Sequence, residues 1–490
     1  MATNQVERFT SLFSGALTEG TRQELIGLLD RIFHPASAFS GSLERVDLSI
    51  DSTATTPLSE LLNEIGTSVV ANSIQYRHKW AMAHMVPPTA TVGIIGDLLI
   101  GALNQCAFIW EEAPVAAALE EAVLRWMAAK LRLASESKGL LTSGGTMSNY
   151  LAATFAKARI EKMRTFTDNN LYAVATDQAH FSIRKTLRLL GLPDNRLICA
   201  KAGPDGRTPN GCILEAADAI AREGGIPFLF VCTAGTTSAG IIEPANEFLH
   251  AAEKYGAWCH IDAAHGGSVC LTHRYDNIVD TWSAADSISW DPHKSMFVPY
   301  SIGALFVQSA KHLDILRVTS EYALKPEVTD SGDDVGATHF YTSRRLDALK
   351  LWMTIRHFGD EGFEAATCHC VDLASAFAKI IATTPSFELY AYPETNIVCF
   401  RVVVKGLTSN ELNQLNAATQ SRLFATGGPL LSSTTLNGRT YLRAVLMNPL
   451  LQAHDLDCVL HEILLVVSST AKNLFGRSLH EDTSSYQPTS

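Results

Sequence analysis

From about residue 138 the chain alternates short apolar runs with stretches of helical periodicity. The runs are Leu171–Thr176, Arg196–Ala200, Phe228–Thr233, Ala257–Ile261, Ser287–Trp290 and Gly303–Val307, and most are followed by Gly, Pro, Asp or His. Continuous apolarity over four to six residues, rather than strict alternation, is what a strand covered on both faces requires. Helical stretches in several of the gaps then predict an α/β architecture with a mostly parallel central sheet. In such sheets chemistry gathers at the carboxyl ends of the strands. The residues just after each run are therefore the ones to read for function.

The flanking regions follow a different pattern. Upstream, Arg22–Phe33, Ile94–Cys106 and Val115–Leu133 have helical spacing, with Pro87-Pro88-Thr89 breaking the chain between the first two. Downstream comes a long helix at about Arg344–Phe358. A further helix follows, then strand-like runs at Phe387–Tyr390, Ile397–Val404 and Tyr441–Leu446, and a closing helix at about His454–Phe475. This predicts a helical N-terminal segment over 1–94, a large α/β domain over 95–371 and a small α+β domain over 372–475. The polar tail over 476–490 is expected to fray.

Composition excludes some classes of function. The net charge is −11 and no basic block is present, which argues against nucleic-acid binding. The longest apolar stretches, such as Val92–Leu103, contain Gly and Asp and fall short of the ~20 residues of a membrane span, so none is expected. Met1–Ser14 carries Glu7 and no apolar core, unlike a secretory signal. The ten cysteines are scattered through apolar context, as suits reduced thiols in a cytoplasmic protein. Cys368-His369-Cys370 is a close pair without a second pair at ligand spacing, so no metal site is expected.

Five segments carry candidate chemistry. In Ser287-Ile288-Ser289-Trp290-Asp291-Pro292-His293-Lys294 a lysine follows a strand. Alone it reads as a surface side chain, or as a desolvated amine able to condense with a carbonyl. In His260-Ile261-Asp262-Ala263-Ala264-His265-Gly266-Gly267 an acid ends a strand and small residues follow. Asp262 could simply cap a turn, or could face a cationic ring nitrogen. Leu141-Thr142-Ser143-Gly144-Gly145-Thr146 runs into a helix, either as an ordinary cap or as an anion site made by free N–H groups and the helix dipole. It lacks the Gly-Lys-Ser/Thr ending of a nucleotide P-loop, which argues against an NTPase. His180 follows another run, where an imidazole could be structural or could stack on a flat ring. Thr237, in Ala234-Gly235-Thr236-Thr237, offers a hydroxyl near the same edge. A phosphate anchor, a flat ring, an acid for a ring nitrogen and a lysine for an aldehyde together describe pyridoxal 5′-phosphate.

The ordered Asp-Ala-Ala-x-Gly-Gly and x-Pro-His-Lys signatures make the chain similar, from about residue 75 to 450, to the group II amino-acid decarboxylases of the glutamate, aromatic-amino-acid and diaminobutyrate type. The resemblance implies an aspartate aminotransferase-like fold of type I and pyridoxal 5′-phosphate as cofactor. It also implies a small amino-acid substrate and a homodimer with the active site at the interface. By motif it implies that Lys294 carries the cofactor as an internal aldimine, that Asp262 pairs with the ring nitrogen, and that His180 and Ala264 flank the ring. Gly145 and Thr146 would hold phosphate, with Thr237, Asp291 and His293 lining the cofactor. Asp291 stands where the family commonly has Asn. Ser320-Glu321-Tyr322-Ala323 resembles the family's catalytic loop. Tyr322 is then the group that protonates Cα, and it favours simple decarboxylation over aldehyde-forming relatives that carry Phe. Arg443 matches an arginine that meets a substrate carboxylate, and its alternative is a structural ion pair. His84 falls near the substrate pocket, where glutamate-specific members tend to have Gln. His265 replaces an aromatic residue of many animal members. The resemblance therefore implies decarboxylation of an L-amino acid. A carbon–carbon lyase and an aldehyde synthase are the alternatives on the same fold, and a non-enzymatic scaffold is disfavoured because every expected catalytic position is filled.

Overall fold

The computed structural model describes residues 18–39, 48–50, 55–163, 170–320, 324 and 334–476. Seven strands form the main sheet: β1 (Lys138–Thr142), β2 (Leu171–Thr176), β3 (Leu197–Ala200), β4 (Ile226–Thr233), β5 (Trp258–Asp262), β6 (Ser287–Trp290) and β7 (Gly303–Val307). Their order is β1-β7-β6-β5-β4-β2-β3. β2 through β6 pair in parallel, and β7 lies antiparallel between β6 and β1. β1 and β6 therefore point the same way, and all five candidate segments, after β1, β2, β4, β5 and β6, leave the sheet at one edge.

The apolar runs are continuous because both sheet faces are covered. Along β4, Leu229 and Val231 pack with Leu151, Phe155 and Ile160 of the helix Gly145–Met163. Phe230 and Cys232 point to the opposite face, against Phe248 and Ala251 of the helix Ala245–Tyr255 and Met127 of the helix Ala116–Lys130. Each fully buried side chain of this kind contributes about 1.5–3 kcal/mol, so two covered faces pin the register of the strands.

A second, antiparallel sheet holds β8 (Phe387–Leu389), β9 (Ile397–Val402), β10 (Ser432–Leu436) and β11 (Arg439–Val445) in the order β10-β11-β9-β8. Asn437 and Gly438, with φ of 51° and 73°, form the two-residue turn between β10 and β11. The helices Ser409–Ala425 and Asp455–Phe475 cover this sheet through Leu415, Leu423, Leu460 and Val467. The segment before His84 is tied to it as well. The Met82 N–H donates to the Leu430 carbonyl at 2.9 Å, and the Val445 N–H to the Met82 carbonyl at 2.8 Å.

The long helix ends at Phe358 as expected: Ala348–Thr383 is two helices joined across a kink at Gly359 (φ 62°, ψ −177°), the second following directly on the first. Leu351 and Phe363 pack in the core of the large sheet, and Phe377 and Ile381 in that of the small sheet. Residue 371 lies inside the second helix. This span and Asp455–Phe475 also correct the expectation about apolar length. Both are long and apolar enough, by length and composition, to cross a membrane. Ala348–Thr383 places apolar side chains in both cores and Asp455–Phe475 in that of the small sheet, as the core helices of a globular domain do.

Candidate active site

Thr233, Asp262 and Trp290 end three adjacent parallel strands, so the loops that follow open at one edge. There they surround a cavity of about 430 Å³. Lys294, Asp262, His180, Gly145, Thr146, Thr237, Ala264, Asp291, His293, His84 and Arg443 all line it. Tyr322 and residues 477–490 of the expected tail lie outside the described residues.

The lysine comes from a turn after β6. The Lys294 N–H donates to the Asp291 carbonyl at 3.0 Å, and Lys294 Nζ lies 3.3 Å from Asp291 Oδ2. The same oxygen accepts the Gly145 N–H at 2.9 Å, at the start of the helix Gly145–Met163. Gly144 has φ 136°, which turns the chain from β1 into that helix. A Cβ on Gly145 would come within 2.7 Å of the Ala264 Cβ, so glycine alone lets the helix start approach the loop after β5. His293 is held by a 2.6 Å contact between Nδ1 and the Ile302 carbonyl, and its ring lies 4.3 Å from that of Tyr300.

The acid is set on β5 and is buried. Asp262 Oδ2 accepts from Asn149 Nδ2 at 2.8 Å, and Oδ1 accepts from Ser289 Oγ and the Ala264 N–H, each at 3.2 Å. Burial acts against its ionisation. The field of His260, the Asn149 hydrogen bond and the fields of His180 and Lys294 outweigh it and leave the carboxyl below its ordinary value. His260, two residues earlier on the same strand face, is pushed down to about 4 by burial and is neutral. His180 is lowered as well, chiefly by burial.

At the mouth of the cavity, His84 adopts φ 60°, a left-handed conformation that costs a side chain about 1–2 kcal/mol. Arg443, on β11, is buried. Its Nε donates to the Ser238 carbonyl at 3.1 Å and its Nη1 to Ser432 Oγ at 3.2 Å, while Nη2 has no partner. Burial lowers its pKa. Among the described residues no carboxylate pairs with it. The cavity also takes in Asn149, Thr233, His265 and Tyr300, which motif reading did not assign to it. Their signal was available in part: His260/Asp262 and Ser287/Ser289 are polar pairs at period two inside otherwise apolar strands, and Asn149 lies one turn beyond Gly145.

A family model described as the pyridoxal-dependent decarboxylase conserved domain matches residues 43–403. The chain belongs to that family. It is 31% identical over 480 residues to an L-2,4-diaminobutyrate decarboxylase of Rhizobium meliloti, covering 97% of this chain and 90% of the relative. Among solved structures it is similar to the glutamate decarboxylase domain of a diaminobutyrate-pyruvate transaminase and L-2,4-diaminobutyrate decarboxylase from Vibrio parahaemolyticus. That match has a TM-score of 0.81 and 26% identity, over 94% of this chain and 96% of that one. It is also similar to mouse CSAD, with a TM-score of 0.84 and 25% identity over 91% and 98%. The fold is thus that of the type I pyridoxal phosphate enzymes, and the chain is a pyridoxal phosphate-dependent amino-acid decarboxylase.

The residues fit that cofactor. The cavity is large enough for a substituted ring, an ionised buried carboxylate faces it, a lysine enters it, and a glycine turn opens a helix N-terminus onto it. Asp291 is the exception in detail. Its carboxylate takes the Gly145 N–H, and its Oδ1 is buried without a partner.

Proposed function

We propose that this cavity decarboxylates an L-amino acid with Lys294, Asp262 and His180 around the cofactor and Arg443 and His84 toward the substrate. The observation that carries the assignment is the convergence of Lys294 and Asp262 on one cavity at the strand ends. When bound, pyridoxal 5′-phosphate supplies the electron sink for the pair left at Cα as carbon dioxide departs. Lys294 carries the amine for the cofactor's aldehyde. Asp262 holds a proton at the ring nitrogen, and its three hydrogen bonds keep it ionised and fixed. Gly145 and Thr146 present the helix N-terminus to the phosphate. His180 and Ala264 bound the ring, with Thr237 and His293 beside it and Asp291 as the neighbour of Lys294. Arg443 has a free Nη2 and no carboxylate partner, which suits a substrate carboxylate. His84 lies where a substrate side chain enters, and Tyr322 returns the proton to Cα.

The relatives make L-2,4-diaminobutyrate the first substrate to try. Carbon dioxide and amine release should be measured across the standard amino acids, diaminobutyrate and ornithine. One substrate giving equal amounts of both is the expected result. Ammonia and peroxide with an aldehyde would instead mark an aldehyde synthase, and no carbon dioxide from any of them would remove the assignment.

The chain also pairs with a second copy. Ile95, Leu98, Leu99 and Leu103 are exposed on the helix Thr91–Leu103, with Trp110 and Val115 exposed after it in the chain. An apolar face of this kind suits an obligate partner. Light scattering should give twice the chain mass, and a monomer under assay conditions would contradict the pairing.

A further inference from the structure

Asp262 and His180 are joined by a buried run of polar side chains, and the decarboxylase reading leaves the members between and behind them without a role. Trp258 Nε1 donates to Ser287 Oγ at 2.8 Å, and Ser287 Oγ lies 2.8 Å from His260 Nδ1. His260 Nε2 lies 2.9 Å from Asn149 Oδ1. Asn149 Nδ2 reaches both Asp262 Oδ2 at 2.8 Å and Ser182 Oγ at 2.9 Å, and Ser182 Oγ lies 2.7 Å from His180 Nδ1. Trp258, Ser287, His260, Asn149, Ser182 and Asp262 are all buried. In register, His260 faces Ser287 and Asp262 faces Ser289 across β5 and β6.

The direction of every proton in this run follows from the Asp262 end. An ionised carboxylate only accepts, so the Asn149 atom facing Asp262 is the NH2 group and Oδ1 faces His260. Neutral His260 then carries its proton on Nε2 and donates to Asn149 Oδ1. Its Nδ1 accepts, so Ser287 turns its own hydrogen there while its oxygen accepts from the Trp258 indole N–H. The second hydrogen of the Asn149 NH2 group goes to Ser182, whose hydroxyl donates to His180 Nδ1. The Ser182 N–H points to the same nitrogen at 3.2 Å. The remaining proton of neutral His180 is on Nε2, at the ring edge that Ser182 does not hold.

We propose that Asn149 is a positioning residue whose one amide fixes both Asp262 and the Nε2–H form of His180. The proposal rests on the cofactor reading of the cavity. Both N–H groups and the carbonyl oxygen of the amide are engaged, so no alternative orientation satisfies the run, and a buried network of this kind loses more than one bond when its centre is removed.

The test uses the holoenzyme and three variants: Asn149→Ala, the isosteric Asn149→Asp, and Ser182→Ala. The readouts are pyridoxal phosphate affinity, thermal midpoint, kcat, and the pH midpoint of the cofactor's absorption near ~420 nm. Asn149→Asp is expected to fold and to set a second carboxyl group against Asp262. Both Asn149 variants should bind cofactor about tenfold or more weakly, with the spectral midpoint moved by about one pH unit. Ser182→Ala should keep that midpoint, because Asp262 is untouched, and lower kcat through His180. Wild-type spectral midpoint and cofactor affinity in a folded Asn149 variant would overturn the proposal. A wild-type chain that binds no cofactor and shows no such band would instead remove the reading of the cavity, and this proposal with it.

Discussion

The two ends of the cavity are built differently. At the strand ends, Asp262 makes three hydrogen bonds, Asn149 makes three more through its amide, and the flanking strands pair in register. At the mouth, His84 is exposed in a left-handed conformation, Arg443 keeps an unpartnered Nη2, and the side chains come from residues 84, 300 and 443, far apart in the chain. The first end resists rearrangement because each group is held by several others. The second is assembled from loops and from the small sheet, where a single substitution alters a contact without unseating the rest. The chemistry therefore belongs to the rigid end and the choice of substrate to the other.

The largest effect should come from breaking the rigid end. Asp262→Asn keeps the shape and removes the charge, and kcat should fall about 10³-fold, as when a charge-stabilising group is removed. Carbon dioxide release at saturating substrate, corrected for cofactor content, measures it. A fall of less than tenfold would place the essential charge elsewhere.

Arg443→Gln should separate the two ends. KM should rise about 10–100-fold, the worth of a hydrogen bond to a charged group, while the cofactor spectrum stays at its wild-type position. A shifted spectrum with unchanged KM would assign Arg443 to the cofactor end.

Glu243 tests what the rigidity costs in stability. It is buried behind the strand ends, where it accepts the Thr233 N–H at 2.6 Å and hydrogen bonds from the Thr176 and Thr208 hydroxyls. Burial raises its pKa from 4.5 to about 7, against the pull of those hydrogen bonds. The folded chain then holds this proton more tightly than the unfolded chain. Its contribution to stability therefore falls as pH rises from about 4.5 to about 7 and stays low above that. Glu243→Gln cannot titrate, so its stability relative to wild type should improve by about 2–3 kcal/mol between pH 5 and pH 8. Urea unfolding at the two pH values reads the difference, and a constant gap would contradict it.

The smallest effect is expected at His84. His84→Gly relieves a left-handed side chain but frees the unfolded chain, so stability should stay within about 1 kcal/mol of wild type. Substrate preference should nevertheless change in a competition assay. An unchanged preference would detach His84 from the substrate.

The sequence disclosed the rigid end more fully than the loose one, for physical reasons. Strands covered on both faces are mostly apolar, so β2 through β7 stood out within a residue or two. β1 begins with Lys138-Gly139, and β10 reads Ser-Ser-Thr-Thr-Leu with exposed positions between buried ones, so neither offered an apolar run. The end of the long helix near Phe358 was legible, and at Gly359 the backbone leaves helical geometry before a second helix runs on to Thr383. Lys294, Asp262 and His180 sit directly after strands, in short local motifs. Asn149, Ser182 and Ser289 matter through partners 27 to 113 residues away, and spacing along the chain does not report those contacts. Tyr300 enters the cavity from a turn without a motif.

The central claim is that Lys294 and Asp262 face one cofactor in one cavity. Borohydride reduction of the holoenzyme, followed by digestion and mass spectrometry, tests it most directly. The account predicts a pyridoxyl phosphate adduct on Lys294 alone, absent from Lys294→Ala and still formed in Asp262→Asn. An adduct on another lysine, or none in a cofactor-loaded chain, would contradict it.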